Sequence, residues 1–130
     1  PLIALLRRMY VVDRVCIGSF SHRRLERVRG VLGPRVCTSA SRREVVSWLC
    51  GRVPEAPSCF QVPVRQGPVT VVNRRSLRRA KAAEKPVHVW TIDEAHQMQA
   101  LIDLGVDGIM TDQCDVLKSV TIANGLWTLT

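Results

Sequence analysis

The chain has 130 residues, 46% hydrophobic and 23% charged, with a mean hydropathy of +0.05 and a formal net charge of +8. These proportions exclude a disordered chain and suit a domain that buries a core. No apolar run approaches the roughly 20 residues a membrane helix needs, and the opening PLIALL, followed by Arg7 and Arg8, has no small-residue cleavage site and so argues against a signal peptide.

Charge is unevenly placed. Residues 1–85 hold 18 Lys/Arg against 5 Asp/Glu, a net +13, whereas residues 86–130 hold 1 against 6, a net −5. The basic part can attract phosphates, anionic lipid or nucleic acid. It is nearly all arginine spread over several expected helices, which solvated helix faces explain without a nucleic-acid partner. The five cysteines, Cys16, Cys37, Cys50, Cys59 and Cys114, are odd in number and lack a CxxC spacing. They read as buried reduced thiols of a cytoplasmic protein rather than a disulfide framework or a zinc site.

In chain order, Val11–Gly18 is β-branched and apolar enough for a buried strand. Ser21 then caps a helix carrying Leu25, Val28 and Leu32 on one face, and Gly33-Pro34 stops it. Residues 35–39 read as a second short strand. Ser41-Arg-Arg-Glu44 is a capping box, opening a helix with Val45, Trp48 and Leu49 inward and Gly51 at its end. After a loop with two prolines, Cys59–Val64 is extended, residues 66–68 turn, and Val69–Val72 is extended again. Asn73 caps a helix to about Glu84, and Pro86 precedes a strand over Val87–Ile92. Thr91 or Asp93 caps the next helix, with Ala95, Met98, Leu101 and Ile102 at helical spacing and Gly105 as its left-handed stop. Gly108–Thr111 is the last strand, and Asp112 or Asp115 opens a final helix to about Ala123, ahead of Asn124-Gly125.

Strands separated by helices of this length are parallel, and near-continuous apolar strands imply a sheet covered on both faces. The class is α/β, an open doubly wound sheet or part of a (β/α)8 barrel; a complete barrel needs about twice this length. Sites in such folds sit at the C-terminal ends of the strands, here Ser19-Phe20, Thr38-Ser39, Trp90-Thr91 and Thr111-Asp112. No G-x-S-x-G, P-loop or GxGxxG occurs. His88, alternating with Val87 and Val89, reads as an interior histidine, and His22 and His96 as exposed. Asp107, Asp112 and Asp115 are oxygen donors of the kind a hard cation uses, but turn and cap roles account for all three.

The run VHVWTIDEAHQMQALIDLGVDGIMTDQCDVL at 87–117 is similar to the C-terminal signature of the glycerophosphodiester phosphodiesterase family: a strand ending in Trp-Thr, a helix, then Gly-Val-Asp-Gly-Ile-x-Thr-Asp. Upstream, RVCIGSFSHRRLERVR at 14–29 resembles the family's strand ending in Ser-Phe and the helix after it. The resemblance spans residues 11 to 127. It implies parallel β/α units forming roughly the C-terminal half of a TIM (β/α)8 barrel, with 1–130 a single partial domain that opens on Pro1 rather than Met, as a piece of something longer does. The family hydrolyses glycerophosphodiesters to an alcohol and glycerol 3-phosphate, using Ca2+ or Mg2+ and two histidines.

The family's His-Arg-Gly opening, Glu-x-Asp metal pair, His-Asp strand and Glu-x-Lys do not occur here. The resemblance therefore assigns no catalytic residue and no metal ligand to this chain, which alone is expected to be inactive and without a cation. What it carries over is a substrate-pocket wall of Phe20 and Trp90, with Ser19, Thr91 and Asp112 as support at the barrel mouth. Cys114 stands where the family has proline. Expected partners are a glycerophosphodiester in the full enzyme and the missing barrel half or a second copy. Alternative readings are a non-catalytic, self-associating half-barrel and a basic module for nucleic acid or an anionic surface.

Overall fold

A computed structural model describes residues 1–127. Five short parallel strands build a curved sheet in the order β1 (Cys16–Ile17), β2 (Cys37–Thr38), β3 (Phe60–Val62), β6 (Val87–Val89) and β7 (Gly108–Ile109). The registers are Cys16↔Cys37, Phe60↔Val87 and His88↔Gly108, and a single parallel bridge, Ser39↔Cys59, joins β2 to β3. Helices α2 (His22–Leu32), α3 (Arg42–Leu49), α4 (Arg74–Ala82) and α5 (Ala95–Leu104) are the crossovers; α1 (Leu2–Arg8) precedes them and α6 (Cys114–Ala123) follows. Between β3 and α4 the chain makes an antiparallel hairpin, β4 (Arg65–Gln66) and β5 (Val69–Thr70). The parallel β/α order is what the alternating pattern predicts, and its extent, roughly half a barrel, is what the family resemblance implies.

Residues along each strand alternate between two faces. Phe60 and Val62, like Val87 and Val89, are buried against the helices, whereas Gln61 and His88 between them are only partly buried. The expectation of a sheet covered on both faces is thus corrected: helices cover one face, and the other is half open. The core gathers on the helix side. Trp48 of α3 stacks on Phe60 with ring centroids 4.2 Å apart, and its Nε1 donates to the Ser76 carbonyl (3.1 Å). Val62, Val72, Ala80, Val89 and Met98 complete the packing, each 3% exposed or less. Each such valine or methionine side chain contributes on the order of 1.5–3 kcal/mol by leaving water.

Local chemistry sets several boundaries where expected. Ser41 and Glu44 form the reciprocal capping box, and Asn73 forms one with Ser76. Gly105 ends α5 at φ 89°, ψ 42°, a conformation a side chain would strain. Other boundaries differ. The strand expected over Val11–Gly18 is a 3-10 turn at Val12–Arg14 and only two residues of strand, because β1 has only the two-residue β2 to pair with. Ser21 precedes α2 without a side-chain cap. Neither Thr91 nor Asp93 caps α5, whose N-cap is Glu94, and α6 starts at Cys114 after Gln113. Among the described residues, no helix is long and apolar enough to cross a membrane.

Candidate functional site

The C-terminal ends of β1, β2, β3 and β6 converge on one cleft. It has a volume of about 550 Å3 and is lined by Gly18, Ser19, Phe20, Ser39, Gln61 and Trp90, with Arg24 at its edge. An adjoining apolar recess of about 310 Å3 shares Phe20, Gln61 and Trp90 and adds Arg42, Val45 and Val69. Phe20 and Trp90 face each other across the mouth, ring centroids 6.2 Å apart and tilted by 56°. Phe20 is 63% exposed, so its ring presents a surface rather than filling the core. The Arg42 guanidinium lies 4.7 Å from the Phe20 centroid, a cation–π contact. Arg24 and Arg42 both sit in the first turn of a helix that follows a strand, which is why each reaches the rim.

A polar scaffold supports this rim. Arg29 donates from Nη1 to Glu44 Oε1 (2.6 Å) and from Nε to Thr38 Oγ1 (2.8 Å), tying α2 to α3 and to the end of β2. Ser41 N donates to Glu44 Oε2 (2.7 Å), and the Ser41 hydroxyl lies 3.0 Å from His22 Nδ1. Burial raises the Glu44 pKa, but the hydrogen bonds from Arg29 and Ser41 outweigh it and hold the carboxyl below its ordinary value. His22, expected to be exposed, is therefore a partly buried member of this network; His96 is exposed.

The residues singled out from the sequence divide. Phe20, Trp90 and Ser19 come together in the cleft, and Ser19 Oγ accepts from Ser21 N (3.2 Å). Thr91 lines a neighbouring groove with Pro63, Ile92 and Gln97. Asp112 is exposed and joins the mouth through its backbone, whose N–H donates to Asp93 Oδ1 (2.9 Å). Asp93 also accepts from Thr111 Oγ1 (2.8 Å), so it fastens the loop after β6 to the loop after β7. That role was hidden behind its resemblance to a helix cap. Arg42 and Gln61 were also missed, since only the register of β2 and β3 brings them to the mouth. His88 is partly buried, packed over Gly108, where a Cβ would lie 2.8 Å from its Cδ2.

A hard divalent cation needs several oxygen donors. Asp107 Oδ2 accepts from Val87 N (2.8 Å) as a turn residue, Glu44 is held by Arg29, and Asp112 and Asp115 are exposed. Among the described residues the only gathering of three potential ligands is of sulfurs, Cys16, Cys37 and Cys59. The residues present do not fit the family's Ca2+ or Mg2+. The thiols also correct the expectation of five buried cysteines: Cys59 is buried, Cys37 partly so, and Cys16, Cys50 and Cys114 are exposed.

The glycerophosphoryl diester phosphodiesterase family pattern matches residues 3–116. The chain is 38% identical over 137 aligned residues to "Probable glycerophosphodiester phosphodiesterase 2" of Mycobacterium tuberculosis, covering 98% of this chain and 52% of that protein. Its fold is similar to the crystal structure titled "Putative glycerophosphoryl diester phosphodiesterase" from Silicibacter pomeroyi, with a TM-score of 0.76 and 21% identity over 98% of this chain and 44% of that one. It is also similar to a phosphodiesterase from Oleispira antarctica in complex with sn-glycerol-3-phosphate, with a TM-score of 0.61 and 16% identity over 82% and 41% of the two chains. The chain spans about half the length of these relatives. It belongs to the glycerophosphoryl diester phosphodiesterase family and corresponds to roughly the C-terminal half of that family's barrel.

Proposed function

We propose that this chain supplies one wall of the substrate pocket of a glycerophosphodiester phosphodiesterase, a phosphoric diester hydrolase of lipid and glycerol metabolism. Residues 1–130 act as one partial domain, and the acid, base and Ca2+- or Mg2+-holding groups come from the other half of the barrel. The observation that carries this reading is the pairing of Phe20 and Trp90 across the mouth, with Arg24 and Arg42 beside them. The rings offer apolar contact to the carbons of a glycerol or alcohol, and the guanidiniums favour an anionic phosphate. The sn-glycerol-3-phosphate in the Oleispira antarctica structure supports the same chemistry. The five free cysteines suit a reducing, cytoplasmic setting.

Purified 130-residue chain is expected to leave glycerophosphocholine intact in the presence of Ca2+ or Mg2+; turnover by it would overturn the assignment of the chemistry to the other half. Supplying that half should restore hydrolysis, and Trp90→Ala in the restored barrel should raise KM more than about tenfold, loss of an apolar wall being worth roughly 1–3 kcal/mol.

A second reading, self-association, is favoured by the strand edges. Among the described residues β1 and β7 pair on one side only. Such edges are templates for another chain. Sedimentation at tens of micromolar distinguishes a dimer from a folded monomer, and the monomer counts against this reading.

A further inference from the structure

The interior face of the half-barrel is layered. Gly18, Ser39 and Gln61 form the floor of the mouth cleft, and Gln61 N donates to Ser39 Oγ (3.1 Å). Two residues earlier on the same three strands stand Cys16, Cys37 and Cys59. Because side chains alternate, they share the face of the residues above them. Their sulfurs all lie within 4.8 Å of one another, and Cys16 and Cys59 approach to 3.6 Å. The cluster is therefore at the N-terminal ends of β1, β2 and β3, beneath the floor and away from the mouth.

We propose that Cys16, Cys37 and Cys59 form a three-thiolate site for a soft metal ion of the Cu(I) class. Three sulfurs around one ion at a bond length of about 2.3 Å stand roughly 4 Å apart, the spacing of this cluster. Soft thiolates select Cu(I) over the hard ions that carboxylates hold. The cluster brings three ligands and no histidine or carboxylate, which suits a three-coordinate ion better than zinc, whose structural sites are four-coordinate. The site is preformed by pairing: Cys16 and Cys37 are directly registered, and the Ser39↔Cys59 bridge fixes the third strand. The net +13 of residues 1–85 offsets the charge of three thiolates. Cys16, exposed at the edge strand, gives an ion its path in. Partial burial of the sulfur, with hydrogen bonding to Cys37 and Cys59, raises the Cys16 pKa. The site does not depend on the hydrolase reading, and either can fail alone.

The test is anaerobic titration of the reduced full chain with Cu(I) against a competing Cu(I) chelator, with X-ray absorption on the complex. One equivalent bound through three Cu–S contacts is the expected result. Loss of a partner outside the ligand sphere alone costs ~10–100-fold in metal affinity, so Cys16→Ser and Cys37→Ser should each weaken binding by at least about 100-fold. Cys50→Ser and Cys114→Ser should leave affinity unchanged. Cys16 and Cys37 are not fully buried, so their serine variants are the deciding pair, with circular dichroism verifying the fold; Cys59 is buried and its variant is secondary. Absence of bound copper in the folded chain, affinity indifferent to C16S and C37S, or a nitrogen- or oxygen-rich coordination sphere would each overturn the proposal.

Discussion

The two sides of this half-barrel are held by different forces. Around β3, β6 and β7 the cement is apolar: Trp48, Phe60, Val62, Val89 and Met98 belong to one continuous core. Around β1 and β2 the apolar supply is thinner. Leu6, Leu25, Val28 and Val36 are buried but stand outside that core. What ties this side down is polar: Arg29 to Glu44 and Thr38, and Arg7 Nη2 to the Val31 carbonyl (2.7 Å). Apolar packing is non-directional and indifferent to pH, whereas the polar tie is directional and titrates. The difference predicts separate responses to mutation and to acid.

The largest effect should come from the apolar side. Trp48→Ala removes a fully buried ring and its stack on Phe60, and denaturant unfolding should show a loss of about 3–5 kcal/mol. Arg29→Met should cost roughly 2–3 kcal/mol, less than a fully buried broken pair because the Arg29 side chain keeps 16% of its exposure. Hydrogen exchange separates the two: R29M should speed exchange in α2 and β1 more than in β3 and β6, and uniform acceleration would break the distinction.

Acid should act in the same place. The Glu44 pKa is lower folded than unfolded, so its contribution is present above the ordinary carboxylate range and is lost as pH falls through the folded value. Melting of the wild-type chain should therefore fall in that window, and Glu44→Gln should flatten that part of the profile. The smallest effect belongs to a cap: Asn73→Ala should cost ~1 kcal/mol through lost bonds to Arg75 N and Ser76 N.

Features decided within a few residues were legible in the sequence. Ser41-Arg-Arg-Glu44 and Gly105 needed no distant partner to be recognised, and the family motif drew attention to Phe20 and Trp90. Features decided by pairing between strands were not. Nothing in the spacing of Cys16, Cys37 and Cys59 suggests that they meet, because register across β1, β2 and β3 is a property of the sheet. Strand lengths were overestimated for a related reason: β-branched residues favour extension, but a strand lasts only as long as its neighbour. Asp93 was misread because a carboxylate ahead of a helix has two ways to be satisfied, and here the β7 loop won.

The β4–β5 hairpin rises beside the cleft, with every residue from 65 to 70 exposed. Its fastening is at its base, where Val71 N and Val72 N donate to the Val64 carbonyl and both valines enter the core. The rim is thus modular. Residues can be added to or removed from the tip without touching a buried contact, so the depth of the mouth is open to variation, natural or engineered, at almost no cost to the barrel beneath it.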